Sequence, residues 1–310
     1  MSSMTFCQGL YELMDSYDGF IMDQWGVLHN GINAYDGVAD CLNHLKQRKK
    51  QVVILSNSAK RGDDNIERLK KFGIKQTLYK AVVSAGEVTW QGLKEQKEAP
   101  FKGLGKRCYV ISRDEDRSLL NGLDDIEVVS DIEKAEFILI TSFDSPKMKV
   151  EDLDPVFKKA VGKHIPAICA NPDMVTVYGH ERAAGPGAVA KRYHELGGMA
   201  HLIGKPHKTI FRYALGLFED VIPSRILVIG DSLQHDVAGA IGVDLDTAFI
   251  TSGIHANAFK PGMSNEQKRK AMEHMAQGYG GIRPNWVLDS LIWQTPEAAL
   301  RERERARMKE

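Results

Sequence analysis

The sequence predicts an α/β protein built on a mostly parallel sheet, and three observations carry the prediction. Short apolar runs bounded by turn residues alternate with stretches of helical periodicity, the pattern of repeated βαβ units. The chain has 310 residues, about twice the ~150 expected of one domain, so a second domain is expected. Its 43% hydrophobic and 26% charged residues are a globular composition, which argues against a disordered chain or a disulfide scaffold.

Taken in order, the apolar runs at 19–22, 51–55, 80–83, 108–111, 137–140, 167–169, 226–229 and 247–250 are the expected strands. Val38, Leu42 and Leu45 recur at helical spacing over 38–49, and Ile66, Leu69 and Phe72 do so over 64–72. Both stretches are expected to be crossover helices that pack one face on the sheet. Further helices are expected over 188–196, after the turn Gly185-Pro186-Gly187, and over 208–218. Two stretches break the rhythm. Residues 96–106 are rich in Lys, Pro and Gly, and 178–187 hold three glycines and a proline, so each reads as a loop or an inter-domain hinge. The Arg- and Glu-rich stretch 297–310 reads as a solvated helix that frays at its end.

Charge and cysteine usage narrow the function. Lys plus Arg number 41 and Asp plus Glu number 41, which leaves no basic field to collect nucleic acid or an anionic membrane surface. The apolar runs are far shorter than the ~20 residues that span a bilayer. Residues 1–9 lack the basic and apolar segments of a secretory signal, and a cytoplasmic location is expected. Cys7, Cys41, Cys108 and Cys169 contain no CxxC pair, so reduced, mostly buried thiols are expected rather than a zinc site. The oligomeric state is open, with a homodimer among the alternatives.

Four segments carry chemistry. In Gly19-Phe20-Ile21-Met22-Asp23-Gln24-Trp25-Gly26 a strand delivers a carboxylate into a glycine-containing turn. Ligands of open α/β sheets bind beyond the carboxyl ends of strands, where Asp23 would sit; a turn or cap role is the alternative. The second strand run ends in Ser56-Asn57-Ser58, whose hydroxyl and backbone N–H groups suit an anion or an N-cap. Gly204-Lys205-Pro206-His207 sets a lysine on restricted backbone just before a helical stretch, against the alternative of a solvated surface charge. The apolar strand at 226–229 runs into Gly230-Asp231, with Asp236 five residues later. If the chain is helical from Leu233, Asp236 falls in the first turn and can face Asp231. Two such oxygens suit a hard divalent cation such as Mg²⁺, and Asp236 could instead complement the helix dipole.

In this order the four segments resemble the motifs of the haloacid dehalogenase (HAD) superfamily, whose members are mostly phosphatases. Ser56-Asn57-Ser58, Asn171-Pro172-Asp173, Gly204-Lys205-Pro206 and Thr251-Ser252-Gly253 resemble its subclass IIA, the branch of NagD and the p-nitrophenyl phosphatases. The resemblance implies a Rossmann-like, HAD-like core with a parallel sheet at 1–78 and 199–310, the second part carrying the C-terminal helical tail. An inserted α/β cap domain is implied at 79–198. It implies that Asp23 attacks phosphorus to form an aspartyl-phosphate that water hydrolyses. Mg²⁺ would be held by Asp23, Asp231 and the Trp25 backbone carbonyl, with Asp236 orienting Lys205 or a metal-bound water. Ser56, the Asn57 N–H and Lys205 would take the phosphoryl oxygens. Asn171 and Asp173 are the cap candidates for binding the rest of a small phosphorylated metabolite, with a capped Pro-containing turn as the alternative.

One position departs from the pattern. Phosphatases of this superfamily usually carry a second Asp two residues after the nucleophile, which protonates the leaving oxygen. Here that residue is Trp25, whose indole exchanges no proton near neutral pH. Losing such a group typically costs ~10²–10⁴ in rate. The expected function is therefore Mg²⁺-dependent phosphate-ester hydrolysis with weakened general acid–base catalysis. His29 would supply the proton or merely pack in the loop, or the leaving group would need none, as in acyl phosphates and nitrophenyl esters. The alternatives are a pseudophosphatase that binds a phosphorylated ligand, and a dehalogenase, whose departing halide needs no acid.

Overall fold

Every apolar run expected to be a strand is one in the computed structural model, which describes residues 4–178 and 181–295. The chain divides into two units. The first comprises Met1–Leu55, Ile66–Val82 and Phe211–Glu310, and the second Ser56–Asn65 and Val83–Ile210.

The first unit is built on a seven-stranded sheet in the order Thr5–Phe6, Trp286–Leu288, Asp246–Ile250, Ile226–Gly230, Gly19–Asp23, Gln51–Ser56, Ala81–Ser84. Pairing is parallel from Thr5–Phe6 through Gln51–Ser56. The central strands read as continuous apolar runs because both faces are covered, as parallel sheets require; Phe20, Ile21, Met22, Leu227 and Ile229 are fully buried. The helix Val38–Gln47 follows Gly37 and turns Val38, Cys41, Leu42 and Leu45 onto this core, the stripe that its periodicity predicts. A smaller core of Met4, Leu233, Phe249, Met272 and Val287 includes side chains from the helix Asn265–Gln277. Ser264 caps that helix by accepting the Gln267 N–H, while the Gln267 side chain accepts the Ser264 N–H at 2.8 Å.

The second unit holds a five-stranded parallel sheet, Ala200–Leu202, Ala167–Cys169, Phe137–Ile140, Arg107–Ile111, Glu127–Val128, and a separate antiparallel hairpin, Val175–Tyr178 with Glu181–Ala184. Ile138, Ile140, Phe157, Val189 and Tyr193 lie in its core. The Tyr193 hydroxyl donates to the Ile165 carbonyl at 2.5 Å, which satisfies the one polar atom that the ring brings inside.

Several readings change. Ala200–Leu202 pairs with Ala167–Cys169, so this sheet runs past residue 198. The division between units falls at 82/83 and 210/211, and it also assigns 56–65 to the second unit. Residues 96–106 and 178–187 both lie inside the second unit, so neither is a hinge between the two; 181–184 is a strand, and 179–180 lie outside the described residues. The expected tail helix at 297–310 also lies outside them. Among the described residues no helix is long and apolar enough to cross a membrane. All four cysteines are free, and burial pushes the Cys7 and Cys169 thiols up to about 12, which leaves them protonated and unreactive.

Candidate active site

The first unit assembles a carboxylate cluster from strands that are neighbours in the sheet. Ile229 pairs with Met22, so Asp23, the last residue of its strand, and Asp231, the residue after the neighbouring strand, emerge at one end of the sheet. Asp23, Asp231 and Asp236 each offer an oxygen, and the three oxygens lie within 4.8 Å of one another. Asp23 is half-buried, whereas Asp231 and Asp236 are buried.

Each carboxylate is placed by backbone. The Asp23 carboxylate accepts the Gln24 N–H at 2.7 Å. That of Asp231 accepts the Ile254 N–H at 2.6 Å and lies against two glycines: a Cβ at Gly26 would come within 1.8 Å of it, and one at Gly253 within 2.1 Å. Gly26 also sits at φ +80, where a side chain is strained. The Asp236 carboxylate accepts the Ser232 N–H at 3.1 Å and rests on Gly230, where a Cβ would fall 2.1 Å from its Cγ. The turn from Leu233 to Val237 is wider than an α-helical one, and Asp236 falls within it. Hard oxygen donors seated in cradles that only glycine leaves open fit a small divalent cation, and Mg²⁺ suits this donor set.

The loop after Asp23 closes on itself. Gly26 N–H donates to the His29 carbonyl at 3.0 Å, and Leu28 N–H to the Gln24 carbonyl at 3.0 Å. His29 is fully buried, packed against Trp25 with ring centroids 4.9 Å apart and Phe72 at 4.7 Å. Its Nδ1 accepts the Gly31 N–H at 3.0 Å, so the proton sits on Nε2, which meets no acceptor among the described residues. Burial, with the nearby Arg68 guanidinium, pushes its pKa down to about 4. His29 is thus a buried residue packed in the loop and held neutral near pH 7. Trp25 itself is 47% exposed.

The second unit gathers the other expected residues. Ser56 is buried, and its hydroxyl accepts the Ser58 N–H at 3.2 Å. The Asn57 carboxamide latches two segments together: its oxygen accepts the Lys205 N–H at 2.7 Å, and its nitrogen donates to the Asp173 carboxylate at 2.8 Å and the Lys205 carbonyl at 3.3 Å. Asp173 N–H donates to the Asn171 side chain at 2.9 Å. Asn171-Pro172-Asp173 is a turn held to Asn57. Gly185 and Gly187 let backbone approach this turn; a Cβ at either would meet the Asp173 or the Pro172 carbonyl oxygen within 2.2 Å. Lys205 is not a solvated surface charge, since it is only 3% exposed. Sequence reasoning missed the latch, because its partners lie 116 and 148 residues apart.

A parallel-sheet unit with acidic residues at adjacent strand ends defines the class of open α/β proteins whose ligands bind at the carboxyl edge of the sheet. Residues 20–124 match the haloacid dehalogenase-like hydrolase family and residues 202–292 a second, HAD-hydrolase-like family, which together span well over half of the chain. The chain belongs to the HAD superfamily of hydrolases. It is 25% identical over 246 residues to an acid sugar phosphatase of Staphylococcus haemolyticus (strain JCSC1435), across 78% of this chain and 88% of that protein. A haloacid dehalogenase-like hydrolase from Brucella suis 1330 superposes with a TM-score of 0.73 at 27% identity, over 92% of this chain and 99% of that one. NagD from E. coli K-12 shares the fold at a TM-score of 0.65 and 20% identity, over 89% and 97% of the two chains.

Proposed function

We propose that this protein is a Mg²⁺-dependent phosphatase of small phosphorylated metabolites that works through an aspartyl-phosphate on Asp23. The convergence of Asp23, Asp231 and Asp236 carries the proposal. The match to an acid sugar phosphatase along most of its length supports it.

A carboxylate that approaches a phosphate monoester meets like charge, worth about 4 kcal/mol per unit-charge pair at 4 Å and an effective dielectric of 20. Two further carboxylates beside the nucleophile would deepen that repulsion, so their presence calls for a cation. Mg²⁺ held by Asp23, Asp231 and the Trp25 carbonyl would supply the counter-charge and orient the phosphoryl group. The Asp23 oxygen forms its bond to phosphorus as the ester oxygen leaves. Water then releases phosphate and restores the carboxylate. Asp236 orients a water, and in the second unit Lys205, Ser56 and the Asn57 N–H are the donors suited to phosphoryl oxygens. With His29 buried and neutral, the loop offers the leaving oxygen no proton, so turnover falls as that oxygen becomes more basic.

Phosphate release from p-nitrophenyl phosphate, acetyl phosphate and sugar phosphates, with and without Mg²⁺, tests the reading. Metal-dependent turnover is expected, with Asp23→Asn lower by about 10³-fold or more. Equal rates in the two proteins would sink it. Metal-independent chloride release from 2-chloropropionate would replace it with a dehalogenase, and phosphate-ester binding without turnover with a pseudophosphatase.

A further inference from the structure

We propose that Thr251 and Asp289 are positioning residues for the cation site: they pin the loop whose backbone seats the Asp231 carboxylate, and so set how tightly the cluster holds its metal. The inference rests on the reading of Asp23, Asp231 and Asp236 as a Mg²⁺ site and concerns what keeps that site assembled.

The loop follows the strand Asp246–Ile250 and touches Asp231 twice. Ile254 N–H donates to Asp231 Oδ2 at 2.6 Å, and Gly253 lies so close that a Cβ there would fall 2.1 Å from the same oxygen. The loop is itself held from the far side. Thr251 N–H donates to the Leu288 carbonyl and Ser252 N–H to the Asp289 carbonyl, each at 3.0 Å, which ties the loop to the end of the neighbouring strand Trp286–Leu288. Thr251 is buried, and its hydroxyl donates to the Asp289 carboxylate at 3.2 Å. That carboxylate is paired in turn with the Lys268 ammonium of the helix Asn265–Gln277. A line of contacts therefore runs from helix to strand end to loop to Asp231, all within the first unit.

Such a line matters because of what the cluster does without a cation. Carboxylate oxygens within 4.8 Å of one another repel, so an unrestrained Asp231 would swing away from Asp23 and Asp236. Gathering it again would be subtracted from the free energy of metal binding. The Ile254 N–H opposes that swing by gripping one oxygen, and it can do so only while the loop keeps its place. The two main-chain bonds hold the loop at 251 and 252, ahead of the residues that meet Asp231. The Thr251 hydroxyl adds a side-chain anchor there, and Asp289 links it to the helix. Asp289 and Lys268 also line a cavity of about 530 Å³, so a smaller side chain at 289 opens onto that space rather than into the core.

Calorimetric titration of MgCl₂ into the EDTA-treated full chain reads the affinity whether or not the protein turns over. Thr251→Val keeps the branched shape, removes the hydroxyl and is expected to weaken Mg²⁺ binding by about tenfold. Thr251→Ser, which keeps the hydroxyl, is expected to restore most of the loss. Asp289→Ala leaves the hydroxyl only the Asp289 main-chain carbonyl at 3.5 Å and should follow Thr251→Val, whereas Asp289→Asn keeps an acceptor and should follow wild type. Hydrogen exchange in EDTA separates positioning from general stabilisation. In Thr251→Val the Ile254 amide is expected to exchange about tenfold faster relative to that of Ile21, in the central sheet. Equal Mg²⁺ affinity in wild type and Thr251→Val, or an Ile254 amide that quickens only in step with Ile21, would overturn the inference. Mg²⁺ binding that Thr251→Val weakens, in a protein that hydrolyses no ester, would sink the phosphatase reading and keep the positioning role. A wild type that binds no Mg²⁺ would sink both.

Discussion

Asn57 shows how a single side chain can tie together residues that the sequence singles out one by one. Its carboxamide satisfies the backbone N–H of Lys205 and the carboxylate of Asp173 at once, so Lys205 is positioned through its main chain. Asn57→Ala would strip both partners of a bond in a buried setting, at an expected cost of about 1–3 kcal/mol read from urea unfolding. A loss below about 0.5 kcal/mol would mean that the latch contributes nothing beyond an ordinary surface position. The sequence pointed to Asn57, Lys205, Asn171 and Asp173 individually, since small polar residues at strand ends and turns are conspicuous. It could not show that Asn57 and Asp173 are spent on one another, because a hydrogen bond across 116 residues leaves no trace in local pattern. The glycines were equally visible and equally mute. Gly26, Gly230 and Gly253 stand where they do because a carboxylate lies against each, a reason that only the packed structure supplies.

At the scale of elements, the loop between Asp23 and Ala34 is organised around a buried neutral imidazole. Protonating His29 would put a charge inside the core and remove the Nδ1 acceptor that holds Gly31 N–H. The unfolded chain takes up that proton near 6.5, the folded chain only near 4. Between these values the unfolded state binds more protons, so the His29 contribution is fully present above about pH 6.5, is lost as pH falls towards 4 and changes no further below it. The difference in unfolding free energy between wild type and His29→Phe is expected to shrink across that window. A difference that stays constant from pH 7 to 4 would show that His29 titrates alike in both states. Local pattern read the elements well where it was strong. The strands at 137–140 and 167–169 have the expected bounds because they are wholly apolar and buried on both faces. It failed at Glu181–Ala184, whose Glu-Arg-Ala-Ala carries no alternation, and at Thr5–Phe6, which is two residues long.

For the whole molecule, the decisive fact is an adjacency that no local pattern contains. The strand Ile226–Gly230 lies beside Gly19–Asp23 in the seven-stranded sheet, and this alone carries Asp231 and Asp236 to Asp23. Periodicity announced two strands. Only the resemblance of the ordered motifs indicated that they work together, and the strand order makes that physical. If the three carboxylates hold a cation, folding of the first unit must be linked to metal binding, since the unfolded chain has no such cluster. Mg²⁺ at about 100 times its dissociation constant should then stabilise that unit by about 2.7 kcal/mol and slow the exchange of its globally protected amides, such as Ile21 and Val228, by about 100-fold. Gly253→Ala sets a Cβ 2.1 Å from the Asp231 carboxylate, and should shrink this effect without removing any ligand. Hydrogen exchange with saturating MgCl₂ against EDTA, on wild type and variant, reads both. Amides that ignore the metal in the wild type would mean that the carboxylates meet for some reason other than a cation, and the charge argument for attack by Asp23 would lose its support.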